Sequence, residues 1–236
     1  MKHINEFLVN KKISNKISQK YIYKYHPKTQ DKLIENIREL LDQGIHDLNC
    51  IDTSNIIDMS FLFDKLNGGI DISNICDIDI SKWDVSKVED MTNMFKGCKK
   101  FNCDISDWDV SNVKLMGCMF SGCKNFNCNI SNWNVSNVHD MNCMFCRCEN
   151  FNQNLGKWDV ENVVYYNLMF LDCYKFEGKG LKNWDVRNGQ YFELMFSDCL
   201  RFNEDIRHWL KPYVIKTKGM AKQGTPDWNL FPIWLR

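Results

Sequence analysis

A tryptophan followed by Asp or Asn and then Val recurs five times, and this repeat constrains the fold more than any other feature. The tryptophans stand 25, 25, 25 and 26 residues apart, at Trp83, Trp108, Trp133, Trp158 and Trp184. A period between about 20 and 50 residues is typical of arrays in which one small supersecondary unit stacks on the next. The sequence therefore predicts a repeat protein whose units share a core.

Apolar side chains recur in step with the tryptophans. One column is aromatic: Phe101, Phe126, Phe151, Phe176 and Phe202. A second column is a Met-Phe pair that ends at Phe95, Phe120, Phe145, Phe170 and Phe196, and a cysteine follows each pair three residues later. These repeated apolar columns predict side chains that face the interior of the array.

Two elements are predicted in each unit. Apolar residues at i, i+3, i+7 and i+10 favour a short helix, as in Val88, Met91, Phe95 and Cys98. Ser86 and Glu89 fit a capping box at its start. The alternation over residues 101–110 favours a strand. The predicted fold class is thus α/β, a leucine-rich-repeat-like solenoid of ~25-residue strand–helix units with a cap at each end.

The pattern divides the chain into three parts. Residues 1–49 are predicted to form an N-terminal capping module of helix, strand and helix, the last helix capped by Thr29. Residues 50–206 hold the array, with about five full units after a degenerate copy in which Phe63 precedes Phe95 by 32 residues. Residues 207–236 contain Trp228, Phe231 and Trp234, which either cap the array or anchor a partner; a cap is favoured because the array leaves an open edge.

The repeated columns resemble those of a known family. The segment Phe101 to Val113, with the sequence FNCDISDWDVSNV, continues to Met116 and Met119. It is similar to the 25-residue repeat of the BspA-like, leucine-rich-repeat-type surface proteins, also called the DUF285 or mycoplasma-lipoprotein repeat. This resemblance implies a leucine-rich-repeat-like fold, mostly undefined functions, and a role in adhesion for several exported members.

Charge is unevenly placed although the formal net charge is zero. Residues 33–206 hold 16 basic and 27 acidic residues, a balance of −11, whereas both ends are basic. An acidic array repels phosphate backbones, so we expect no nucleic acid on the array itself. Self-association between the basic ends and the acidic middle is possible. No apolar run approaches 18 residues, so no membrane span is expected.

Twelve cysteines suggest a reducing compartment. Column neighbours in a stacked array would lie about 4.8 Å apart, inside the range that a disulfide can bridge, so oxidation could join several wrong pairs. Unpaired buried cysteines behave as small apolar side chains. We expect a cytoplasmic location or an assembly made in a reducing compartment, because residues 1–12 carry no signal-peptide pattern; the cell surface is the alternative.

No catalytic, cofactor or metal site is predicted. The Cys143 and Cys146 pair offers two zinc ligands where a structural site needs four, and the five histidines share no column. The Trp column could stack on sugars, but each Trp stands between an Ile or Leu and a Val that are expected to face inward, which favours core packing. The Asn102, Asn127, Asn152 and Asn203 column could bond the backbone of the next unit.

These observations predict a non-enzymatic protein-interaction or structural module with an acidic surface and a protein partner. The alternative is an adhesin-type surface protein that binds a host protein or glycan. The candidate contact surface is an outward column after the tryptophans, Asp84, Asp109, Asn134, Asp159 and Asp185. The competing interpretation of this column is a solvated or capping role, which we favour.

Overall fold

Successive repeats are joined by single backbone bridges whose register follows the sequence period. The computed structural model describes residues 23–64, 66, 78–209 and 228–232. In these ranges the bridges are isolated and parallel, and five of them link Asp58, Asp90, Leu115, Asp140, Tyr165 and Tyr191 in order. The first of the five joins residues 32 apart, which confirms the offset predicted for the degenerate copy.

The segment predicted to be a helix in each repeat is a series of turns. Alternate amides donate to carbonyls of the next repeat at 2.7–2.9 Å; in one repeat these are Met91, Asn93, Phe95 and Gly97. The amides between them close turns of three residues, as Met94 does to the Met91 carbonyl. A continuous α-helix would need every amide to bond four residues back, so these segments cannot be helical.

The α/β strand–helix architecture is therefore wrong. Within the described residues there is one α-helix, α1, at Gln30–Asp42, besides two 3₁₀ turns at Leu181–Asn183 and Trp228–Leu230. The predicted strand over residues 101–110 carries no bridge. Ser86 donates its hydroxyl to Asp84 at 2.6 Å, and Glu89 pairs with Lys114 at 2.8 Å, so no capping box forms. The chain packs tightly around one continuous core instead of forming an α/β solenoid.

The predicted apolar columns do form that core. The Phe, Met-Phe and Cys columns are fully or almost fully buried, and they belong to one cluster that runs from Leu33 to Phe231. Phe120 stacks on Phe126 of the following column at 3.9 Å and on Phe145 of the next repeat at 5.8 Å. Because each ring packs against rings before and after it, neighbouring repeats bury one another's faces.

Both described ends of the array are covered. Thr29 caps α1, as predicted, by accepting a hydrogen bond from the Lys32 amide, and α1 buries Leu33 and Ile37. At the other end, Phe231 is buried and its ring lies 5.1 Å from that of Phe202. The helix predicted over residues 2–10 and Trp234 lie outside the described residues, as do residues 21 and 22 of the strand predicted over residues 21–25. In the described part of that strand, Tyr25 makes a parallel bridge with Ile51.

Candidate binding surface

The outward column predicted as a contact surface holds its own turns. Each side chain accepts a hydrogen bond from the backbone amide two residues later, at 3.0–3.2 Å; this holds for Asp84, Asp109, Asn134, Asp159 and Asp185. This bond is the Asx turn, which stabilises a local reversal of the chain. Asp185 also binds the Arg187 guanidinium, which lowers the pKa of its carboxyl. The structure thus assigns the column a turn-forming role, and its role in binding stays a prediction.

The tryptophan column lies inside the core and is closed to ligands. The side chains of Trp83, Trp108, Trp133, Trp158, Trp184 and Trp209 are only 3–4% exposed. Each indole N–H donates to a backbone carbonyl of the preceding repeat, as Trp133 does to Ile105 at 3.1 Å. Core packing is therefore confirmed, and the hypothesis of a sugar-stacking ladder is wrong for these residues.

Asparagines join neighbouring repeats along two columns. The predicted column is confirmed for its first three members: the side chains of Asn102, Asn127 and Asn152 accept from backbone amides of the next repeat at 2.8–3.1 Å. A second column escaped sequence analysis, in which Asn112, Asn137, Asn162 and Asn188 donate to carbonyls of the preceding repeat. These side-chain bonds add to the backbone hydrogen bonds that already join neighbouring repeats.

The residues that make the bridges form an accessible row of side chains that sequence analysis missed. This bridge row consists of Asp58, Asp90, Leu115, Asp140, Tyr165 and Tyr191. Leu115 and Tyr165 are 38% and 39% exposed, and the rings of Tyr165 and Tyr191 stack at 4.9 Å. The members of this row share no single residue type, so no repeated residue marks the row in the sequence.

The backbone carbonyls of the bridge row from Asp90 to Tyr191 accept hydrogen bonds from amides of the preceding repeat. The Leu115 carbonyl accepts from Met91 at 2.9 Å and the Asp140 carbonyl accepts from Met116 at 3.0 Å. The Asp140 carboxylate also packs over Gly117, where a β-carbon would lie 3.4 Å from Oδ2. Burial raises the pKa of this carboxyl, and the charge of Asp90 adds to the effect. The row thus presents side chains from a fixed backbone.

The described cysteines are free thiols, and they form two groups besides Cys50, Cys103, Cys128 and Cys146. The buried column is fully enclosed, and four of its thiols donate to carbonyls of the preceding repeat at 2.9–3.0 Å: Cys123, Cys148, Cys173 and Cys199. Burial raises the pKa of these thiols. Cys118 and Cys143 form the second group, which lies near the bridge row and is only partly buried.

The described residues show neither a metal-ligand cluster nor a membrane-spanning helix. No cluster of three or more His, Cys, Asp or Glu side chains suited to a metal ion exists among the described residues. In the same part of the chain, no helix combines the length and apolar character that crossing a membrane requires.

The geometry defines the class of protein: a repeat protein in which units joined by single bridges pack around one core. Three overlapping segments, residues 31–141, 70–179 and 129–228, match the family described as "Mycoplasma protein of unknown function, DUF285". These matches run across most of the chain, which belongs to this family. No curated protein and no solved structure matches the chain.

Proposed function

We propose that this protein is a non-enzymatic binding module that holds a protein partner against the bridge row. The observation that carries the proposal is the contrast between columns. The Trp, Phe, Met-Phe and Cys columns keep one residue type through the array, whereas the bridge row changes from Asp90 to Leu115, Asp140 and Tyr165 while it stays accessible. Structure alone demands no such change, because each of these residues makes the same backbone bridge.

The chemistry of the row favours a partner with apolar and basic side chains. Leu115 and the stacked Tyr165 and Tyr191 offer exposed apolar area, and patches of exposed apolar area are typical of interaction sites. Asp90 and Asp140 alternate with them and supply negative charge. Electrostatic complementarity of this kind speeds association and selects among partners.

A fixed backbone also supports binding. Because the carbonyls of the bridge residues from Asp90 to Tyr191 already accept backbone hydrogen bonds, binding orders few additional groups, and the entropic cost of association is correspondingly smaller. An adhesin-type role would use the same row against a host protein, so the same variants test both forms of the proposal.

The test is native affinity purification of the tagged chain from its own source, followed by mass spectrometry. We expect a stoichiometric protein companion that survives washing. The variants Leu115→Ala and Tyr165→Ala should weaken its retention about 10-fold or more, as truncation of a central contact residue does.

Tyr174→Ala is the matched control, because Tyr174 is an equally exposed aromatic residue, 40% accessible, outside the bridge row. It should leave the companion in place. The proposal would be overturned if the wild-type chain were purified without a companion both from its source and from host extracts. It would also be overturned if Tyr165→Ala and Tyr174→Ala reduced retention of the companion equally.

A further inference from the structure

Two partly buried thiols stand side by side in adjacent repeats. Cys118 and Cys143 each follow a bridge residue by three positions, and the bridge between Leu115 and Asp140 sets them in parallel register. The Cys118 amide donates to the Asn142 carbonyl at 2.7 Å, which holds the two backbones together at this point. Parallel neighbours in such a register lie about 4.8 Å apart, within the Cα range that a disulfide needs, roughly 4.4–6.8 Å.

The two thiols also affect each other's ionisation: Cys143 lowers the pKa of Cys118, and Cys118 raises the pKa of Cys143. Both residues are partly accessible, in contrast to the fully enclosed column of Cys123 and Cys148. In the equivalent positions of the flanking repeats stand Asn93 and Leu168, so this thiol pair is unique within its column.

We propose that Cys118 and Cys143 form a peroxide-reactive redox site whose disulfide links two neighbouring repeats. The site adds a covalent modification to the array and does not depend on the partner proposed for the bridge row. A hydroperoxide is the class of oxidant that the chemistry requires, since disulfide formation removes two electrons from the two thiols.

The reaction proceeds in two steps and releases two molecules of water. The Cys118 thiolate attacks one peroxide oxygen, the O–O bond breaks, and a sulfenic acid forms while hydroxide leaves and takes up a proton as water. The Cys143 sulfur then attacks the sulfenic sulfur, the S–S bond forms and the S–O bond breaks. The departing hydroxide takes the proton of Cys143 as a second molecule of water.

The electrostatics identify Cys118 as the attacking thiol. The hydrogen bond from Cys143 lowers the pKa of Cys118 to about 7, and the nearby Lys96 ammonium favours the same thiolate, against the opposing effects of burial and of Asp140. The pKa of Cys143 is raised by the same hydrogen bond and by burial, with contributions from Cys146 and Asp140. A thiolate near neutral pH beside a protonated partner is the arrangement that peroxide reduction uses.

A second cysteine pair in the same molecule serves as the control. Cys103 and Cys128 stand at the same 25-residue spacing, but Cys128 donates to Asp104 and Cys103 to the Asp104 carbonyl. Burial raises the pKa of Cys128 to about 11. At pH 7 a larger fraction of Cys118 than of Cys128 is thiolate, although the Cys118 thiolate is the weaker nucleophile. Together the two effects predict that Cys118 is alkylated on the order of 100-fold faster than Cys128.

The experiment treats the reduced full-length chain with hydrogen peroxide, alkylates the remaining thiols and maps the peptides by mass spectrometry. We expect a Cys118–Cys143 linkage that forms before any other and is reversed by dithiothreitol. The alkylation rate of Cys118 should rise with pH around a midpoint near 7. Cys143→Ala should raise that midpoint and prevent the linkage, whereas Cys143→Ser should prevent the linkage but retain the low midpoint, since its hydroxyl still donates.

The wild-type peptide map decides the proposal even where a variant folds poorly. Alkylation of Cys118 no faster than that of Cys128 would overturn it. A first-formed disulfide between Cys103 and Cys128, or between Cys143 and Cys146, would overturn it as well.

Discussion

Each tryptophan packs its ring in the core and satisfies a buried carbonyl of the preceding repeat. At Trp133 the side chain is 3% exposed and bonds the Ile105 carbonyl at 3.1 Å. Trp133→Ala should therefore reduce the free energy of unfolding by about 3–5 kcal/mol, because it leaves a cavity and an unpaired carbonyl. Chemical denaturation monitored by circular dichroism measures this loss. Trp133→Phe, which keeps most of the ring, should lose less; equal losses would contradict the packing argument.

In the last full repeat, one buried side chain is smaller than in the other full repeats, and a neighbouring one is larger than in the first three. Gly189 occupies the position held by Val88, Val113, Val138 and Val163, and a β-carbon there would lie 2.4 Å from the Phe192 ring. Phe192 in turn stands where the first three full repeats have methionine. Gly189→Val should therefore destabilise the protein by about 1–3 kcal/mol through overpacking.

Adding Phe192→Met to Gly189→Val should recover part of that loss, because it removes the nearer ring. We expect the recovery of stability to be incomplete, since the Tyr166 ring lies 2.9 Å from the same β-carbon. A double-mutant cycle of unfolding free energies measures the coupling. Strictly additive effects would show that the two positions do not share this space.

At the scale of elements, the sequence predicted which side chains are buried better than which backbone they occupy. Spacings of three and four residues place Val88, Met91 and Phe95 on one face of a helix, but consecutive turns bury the same residues. The aspartates distinguish turns from a helix. Asp79, Asp84 and Asp90 each form an Asx turn, and such turns recur too closely along the chain for a stable helix. The exposed bridge row could not be derived from apolar periodicity, because its members share backbone geometry and no residue type.

The turns also depend on residues with positive φ, which helices do not contain. Gly97 has φ +79° and open space around the position of a β-carbon. Gly97→Ala should therefore destabilise the protein by about 1–2 kcal/mol through backbone strain alone. The thermal unfolding midpoint measures the loss.

Gly117→Ala is the matched control in the neighbouring repeat. Gly117 does not have a positive φ, and its β-carbon would make an ordinary contact with Asp140. This substitution should be neutral or stabilise by up to about 1 kcal/mol, since alanine restricts the unfolded chain. If both variants lost the same stability, the cause would be the missing glycine itself and not its conformation.

In the molecule as a whole, most inter-repeat contacts connect only adjacent units. From Trp108 onward, the tryptophan N–H groups and the thiols of the buried cysteine column reach residues 28 or 29 positions back. The amides of the second asparagine column reach 26 or 27 positions back, and the bridges from Asp90 onward step by 25 or 26. Arrays coupled only to neighbours unfold by segments when one interface is weakened. The position of a defect should then decide how much of the molecule becomes mobile.

Hydrogen exchange of Trp133→Ala and Trp209→Ala tests this dependence on position. Trp209 lies in the final, partial repeat and bonds the Leu181 carbonyl at 2.9 Å, so its loss should reduce amide protection there and leave the amides near Met91 unchanged. Loss of Trp133 interrupts the middle of the array and should reduce protection in the repeats of both Trp108 and Trp158, because each of these then lacks one intact neighbour. A uniform loss of protection along the chain in both variants would instead mean that the core unfolds as a single cooperative unit, and that coupling reaches well beyond adjacent repeats.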